Sequence, residues 1–228
     1  LMAHYHANRL RVVRQVRTNH ADVIDLVLFL NGVPVATNLV ANTNNGKVVF
    51  GGGFSSYNGV ARNFIARVDT NGVLDAGFNP GTGANGPVFA VAVQPDGKVL
   101  VGGDFTSING VAVTNLARLN ANGSVDTSFI TGSGASSTVR SLLVQADGKI
   151  LMAGSFTNYA GTAVGRVARL QANGGIDPTF NTSGLGANNA VFYMTVQGDG
   201  KVLLGGDFTR FNGVSRNRFT RLNPDGTT

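Results

Sequence analysis

The chain has 228 residues, a formal charge of +6, 32 glycines, no cysteine and no tryptophan, and all twelve of its acidic residues are aspartate. Without cysteine there is neither a disulfide framework nor a thiolate metal site; without glutamate, and with few lysines, there is little material for solvent-facing helix. No apolar run reaches the roughly 20 residues of a membrane-spanning helix.

In chain order, residues 1–37 carry three apolar stretches, 10–16, 23–30 and 33–36. Asn31-Gly32 between the last two is a two-residue hairpin signal, so this segment reads as a small β-meander. His4 and His6 lie near one end without a third ligand, which is too few for a stable zinc site. Arginine concentrates at the two ends, as Arg9, Arg11, Arg14 and Arg17 and then Arg210, Arg216, Arg218 and Arg221. Against an aspartate background this reads as scattered surface charge rather than a nucleic-acid footprint.

From Asn38 onward one phrase recurs. Asn45-Gly46-Lys47-Val48-Val49-Phe50-Gly51-Gly52 returns from Asp96, Asp147 and Asp199, and the lysines Lys47, Lys98, Lys149 and Lys201 are spaced 51, 51 and 52 residues apart. A fixed period of this length marks a repeat architecture. The second unit shows its parts best. Val88 to Val93 is almost wholly apolar and predicts strand a, buried on both faces. Asp96-Gly97 predicts a two-residue turn into strand b, Lys98 to Phe105, whose Gly102-Gly103 implies close approach of a neighbour. A loop leads to strand c, Asn115 to Leu119; Ala121-Asn122-Gly123 predicts a three-residue turn into strand d, Ser124 to Phe129. Four antiparallel strands per ~50 residues is the arithmetic of a propeller blade. The fold class is all-β, an antiparallel β-propeller, expected as a four-bladed ring; an open arc, or a five-bladed ring with a partial N-terminal blade, are the alternatives. The expected units are 1–37, foreign to the repeat, and 38–228, divided into 38–87, 88–138, 139–190 and an incomplete 191–228.

The stretches Gln94-Pro95-Asp96-Gly97-Lys98-Val99-Leu100-Val101-Gly102-Gly103-Asp104-Phe105 and Asn115 to Phe129 resemble the delta-60 repeat β-propeller family of bacteria. That resemblance covers 39–226 and implies an extracellular or cell-surface binding or scaffold role. Asn8 to Arg17 and Ile24 to Thr37 resemble part of the N-terminal nuclease region of type I restriction endonuclease motor subunits. There, the aspartate matching Asp25 is a metal ligand and a Glu-x-Lys follows. Here Thr37 is followed by Asn38-Leu39-Val40-Ala41. One aspartate cannot assemble the carboxylate cluster and cation that metal-dependent cleavage needs, so no nuclease activity, no catalytic residue and no metal site are expected.

The Asx-Gly-Lys turns offer one side-chain oxygen each, too few for calcium. The Gly-rich connector 79–86 lacks the Gly-Lys-Ser/Thr of a phosphate loop, so no cofactor is expected. Arg67, Arg118 and Arg169 recur with Asp75, Asp126 and Asp177 eight residues later, and a three-residue c–d loop sets each pair across from one another as a structural ion pair. Binding is expected on the face of the b–c loops, where the copies differ: Tyr57, Arg62, Tyr159, Arg166, Phe211, Arg216 and Arg218. The expected function is a non-enzymatic binding or scaffold module for a protein or glycan ligand. The alternative from another class is a nucleic-acid-associated remnant of a restriction system. The last repeat lacks strand d, so an unpaired blade edge offers self-association unless 23–29 fills it and sets Asp25 beside Arg221.

Overall fold

The computed structural model describes residues 28–30, 33–36, 39–42, 46–69 and 71–228, the first three of these stretches as backbone. His4, His6, Asp25 and residues 23–27 of the closing strand expected at 23–29 lie outside the described residues; Leu28 and Phe29 of that strand pair with Ala36 and Pro34. Strands β1 (Leu28–Leu30) and β2 (Val33–Ala36) form an antiparallel hairpin, with Leu30 opposite Val33.

The repeats follow. The first lays down β3 (Leu39–Asn42), β4 (Lys47–Gly51), the short pair β5 (Ser56–Tyr57) and β6 (Val60–Ala61), and β7 (Ile65–Val68). The second does the same with β8 (Val88–Val93), β9 (Val99–Gly103), β10 (Ser107–Ile108), β11 (Val111–Ala112) and β12 (Leu116–Leu119). The third gives β13 (Val139–Val144), β14 (Ile150–Gly154), β15 (Asn158–Tyr159), β16 (Thr162–Ala163) and β17 (Val167–Leu170). The fourth gives β18 (Val191–Val196), β19 (Val202–Gly206), β20 (Arg210–Phe211), β21 (Val214–Ser215) and β22 (Phe219–Leu222). Each repeat is thus an antiparallel sheet with its b strand in the middle: β3-β4-β7, β8-β9-β12, β13-β14-β17 and β18-β19-β22. No helix occurs among the described residues.

Strand d contributes a single bridge, Val68 to Leu74, Leu119 to Val125 and Leu170 to Ile176. The reason is local. Asp126 follows at once, its Oδ1 accepts from the Ser128 amide at 3.0 Å, and the Phe129 amide donates to the Asp126 carbonyl. This Asx-type turn takes the backbone away from the ladder.

The turns redistribute relative to expectation. At Asp96-Gly97 the Gly97 amide donates to the Gln94 carbonyl and the Gln94 amide to the Lys98 carbonyl, so three residues form the loop. Gly97 has φ +81°, as do its counterparts Gly148 (+81°) and Gly200 (+80°). This is a type I turn closed by a left-handed residue in a bulge. The two-residue turns lie instead inside the b–c excursion, at Asn58-Gly59, Asn109-Gly110, Ala160-Gly161 and Asn212-Gly213, where both residues have positive φ and join the short pairs β5–β6, β10–β11, β15–β16 and β20–β21.

The core lies between successive sheets. Val88, Val91, Val99, Val101, Ala117 and Leu119 of the second repeat pack on Val49 and Ile65 of the first. The opposite face of the same sheet, Ala90, Ala92, Leu100 and Leu116, packs on Val139, Leu142, Ile150 and Met152 of the third. Both faces of β9 are therefore buried, which explains its unbroken apolar run. Phe105, Phe156 and Phe208 anchor these layers, whereas Phe54 is only partly buried.

Candidate functional site

The recurring charges form a three-part latch. Asp75, Asp126 and Asp177 each hold the arginine eight residues before them (Arg67 at 2.6 Å, Arg118 at 2.8 Å, Arg169 at 2.8 Å) and the lysine of the recurrent phrase (Lys47 at 2.9 Å, Lys98 at 2.8 Å, Lys149 at 3.0 Å). Each guanidinium also stacks over a phenylalanine of segment d: Phe78, Phe129 or Phe180. The Arg118 and Arg169 Nη1 atoms then donate to carbonyls of the following repeat, Ala172 and Pro224, at 2.7 Å. Burial alone would raise the Asp75 carboxyl. The Lys47 ammonium, the Gly77 amide and Arg67 outweigh it and bring the pKa from 3.8 down to about 2. The same balance holds Asp126 and Asp177 well below the usual carboxylate range. Repetition and burial make the latch architectural. The role of the phrase's lysine was missed from sequence, although its fixed distance to each aspartate is a signal for it.

The b–c face divides. Tyr57, Tyr159 and Phe211 are buried, Tyr159 and Phe211 completely. The Tyr57 hydroxyl donates to the Gly72 carbonyl at 2.8 Å and the Tyr159 hydroxyl to the Gly174 carbonyl at 2.9 Å, and burial pushes both phenols up. They tie the b–c hairpin to the c–d turn and present no surface to a ligand, because Ile108 at the same phase shows the position to be a packing site. Arg62 and Arg216 fold back on the carbonyls of Ala61 and Ser215. Arg166 donates to the Ala187 carbonyl, in the connector leading to the next repeat, at 2.7 Å. Arg218 is exposed, 3.5 Å from the Asp207 carboxylate. These four arginines do not converge on one shared partner. A cleft of about 250 Å³ beside Val164, Val167 and Phe180 falls below the ~300–1,000 Å³ of usual ligand pockets.

A different site forms where the innermost strands run side by side. The β8–β9, β13–β14 and β18–β19 ladders each break register after the first residue of the inner strand. The residues at the breaks are Phe89, Arg140 and Phe192. Such a bulge re-aims its side chain, and the three meet: the Arg140 guanidinium carbon lies 5.3 Å from the Phe89 ring centre and 5.4 Å from that of Phe192. All three are half-buried. A cation over aromatic faces at this range is attracted by the ring quadrupoles. The Arg140 Nε is buried with no hydrogen-bond partner among the described residues. A lone donor of this kind calls for an explanation, and a planar guanidinium beside two aromatic rings is suited to a carboxylate. Arg140 lies on strand a, outside the variable loops; the Phe–Arg–Phe alternation at one phase of that strand is the signal for it. Among the described residues no three His, Asp or Glu side chains stand close enough to hold a metal ion.

A family model described as Domain of unknown function (DUF5122) beta-propeller matches residues 43–78, 94–129, 145–180 and 197–228; the match does not reach the stretch that resembles the restriction subunits. No curated protein matches the chain. One similar solved structure is a provisionally assigned gluconolactonase, at 14% identity and TM-score 0.46, with 84% of this chain covered. The chain spans 60% of that protein's length. Another is a protein of unknown function from Bacteroides caccae, at 13% identity and TM-score 0.34, covering 80% of this chain and 76% of that one. The expectation of a protein without enzymatic activity is corrected, since a provisionally assigned gluconolactonase stands among the structural neighbours. At that identity the likeness carries no reaction or substrate to this chain.

Proposed function

We propose a function for a chain that belongs to the DUF5122 β-propeller family: it is a binding module that takes a carboxylate-bearing ligand where its inner strands converge, with Arg140 as the anchor. One observation carries this reading, the Arg140 guanidinium carbon 5.3 Å from the Phe89 ring centre and 5.4 Å from that of Phe192 at a register break, with its Nε unpartnered among the described residues. The rings attract the guanidinium without consuming its donors. A carboxylate approaching in the guanidinium plane meets these donors on a side chain already half-buried, so little side-chain entropy is lost on binding. Placement outside the cell rests on the repeat resemblance and belongs to the same proposal.

Calorimetric titration with glucuronate, and with glucose as the uncharged control, tests it. Binding of glucuronate alone, abolished by Arg140→Ala and weakened by Arg140→Lys, is expected. Equal binding by the Arg140→Ala protein would remove Arg140 from the site.

A further inference from the structure

The four sheets present equivalent faces toward the repeat that follows, and three of these faces are filled. The outer-strand position occupied by Ile65, Leu116 and Val167 is 0%, 0% and 1% exposed, whereas Phe219 at the same phase is 57% exposed. Along the inner strand, Ala90 is 3% exposed and Tyr193, opposite the equivalent middle-strand residue, is 68% exposed. In β22 the burial alternates strictly: Phe219 and Arg221 are out, Thr220 and Leu222 in. Among the described residues nothing packs on this face of the last sheet as the next repeat packs on the other three, while its other face packs on the third repeat.

The glycines sharpen the comparison. A Cβ added at Gly51 would collide with Val88, and one added at Gly102 with Val139, the leading valines of the next inner strands. At the same phase Gly205 has no atom of the described residues within 4 Å of such a Cβ. It is a seat of the same shape without its valine.

The polar groups on this face lack their counterparts in the same way. Asn115 and Arg166, left-handed residues just before strand c, donate to the connector leading to the next repeat, at Ala135 and Ala187. Arg218, at φ +64°, stands at that phase. Arg118 and Arg169 donate to the next repeat's c–d turn; Arg221 stands at that phase and is exposed. The carbonyls of Asn63, Thr114 and Gly165 accept the connector amides of Ala84, Ala135 and Ala187; Asn217 is the corresponding residue.

We propose that the face formed by Tyr193, Leu203, Gly205, Phe219, Arg218 and Arg221 is a docking surface for one further blade of the same repeat type. Its chemistry is set by the three filled faces. The partner inner strand opens on a valine that drops over Gly205, its connector offers a carbonyl to Arg218 and an amide to Asn217, and its c–d turn offers a carbonyl to Arg221. A second copy of this chain is a poor occupant. Phe50, Ala66 and Val68 on the outward face of its first repeat are buried, and the valine-led faces of its other repeats are already packed.

The test compares the full chain with the full chain extended after Thr228 by a second copy of residues 130–190, each with and without Gly205→Val. Hydroxyl-radical footprinting reads Tyr193 and Phe219, and calorimetry reads the midpoint. In the extended protein, labelling of both residues is expected to fall several-fold and the midpoint to rise by about 5–10 °C, the scale expected for burying large apolar side chains in a chain of this size. Gly205→Val fills the valine's seat, so it restores labelling in the extended protein and leaves the unextended midpoint unchanged. Unchanged labelling in the extended protein overturns the proposal, and an added repeat that stays unfolded counts the same way. Sedimentation of the unextended chain as a dimer with Tyr193 and Phe219 protected also overturns it, in favour of a second copy.

Discussion

Replacing Asp177 by alanine removes the centre of one latch. The carboxylate side chain is 1% exposed and holds Arg169 at 2.8 Å and Lys149 at 3.0 Å. Its other oxygen accepts from the Thr179 hydroxyl at 2.7 Å and the Thr179 amide at 3.1 Å. The variant leaves two cations facing one another, with Arg169 largely buried, and frees the turn that starts segment d. Removing one partner of a buried pair costs about 3–5 kcal/mol. The half-exposed Lys149 places this case at the lower end, about 3 kcal/mol. For a chain of this size that lowers the thermal midpoint by roughly 6–12 °C. Asp147, 57% exposed and 4.0 Å from the same lysine, is the control; it also accepts from the Lys149 amide at 3.1 Å in its turn, so its alanine variant costs about 1 kcal/mol or less.

The pH dependence carries a sign. Burial pushes the Asp177 carboxyl up, but the Thr179 hydroxyl, Lys149, the Thr179 amide and Arg169 together hold it well below 3.8. A depressed folded-state pKa contributes stability above the unfolded value and loses it as pH falls toward the folded one. The gap between the wild-type and Asp177→Ala proteins is therefore full above about pH 5 and shrinks below about pH 4. Urea unfolding from pH 7 to pH 2.5 measures it. A gap under ~1 kcal/mol at pH 7, or one that stays constant with pH, would refute the latch as a stabilising element.

The remaining expectations are simpler. Phe156→Ala opens a fully buried site and costs about 3–5 kcal/mol by urea unfolding; Phe54→Ala, at a partly buried position, costs clearly less. Gly148→Ala forces a Cβ onto a residue at φ +81° and costs about 1–2 kcal/mol, seen as a lower thermal midpoint. Tyr159→Phe deletes the hydroxyl that donates to Gly174; it costs about 1–3 kcal/mol by leaving that carbonyl unpaired and leaves glucuronate titration unchanged, which separates packing tyrosines from ligand contacts.

The propeller repeat was legible because its two strongest signals agree in phase. The apolar runs of strands a, b and c recur every ~51 residues, and Asx-Gly dipeptides mark the turns between them. The turns were misread where two signals compete. Asp96-Gly97 looks like a two-residue turn, but Asp96 accepts from the Lys98 amide at 3.0 Å and stabilises the longer loop. The true two-residue turns, such as Asn109-Gly110, sit between strands of only two residues each, too short to show period-two alternation. The b–c face misled for a related reason: Tyr57, Tyr159 and Phe211 differ in identity, yet all are large and apolar at one phase, which marks packing. Arg140 stayed hidden because its meaning depends on Phe89 and Phe192, more than fifty residues away on either side, meeting through a register break that no local pattern announces.

The Arg140 side chain itself gives the most direct test of the binding proposal. Its Nε is buried and unpartnered, so its Nε–Hε NMR resonance is expected to be visible through slowed exchange and to shift saturably as glucuronate is added, with no shift on adding glucose. A resonance that does not move at saturating glucuronate, or that moves equally with glucose, would contradict the assignment of Arg140 as the ligand anchor.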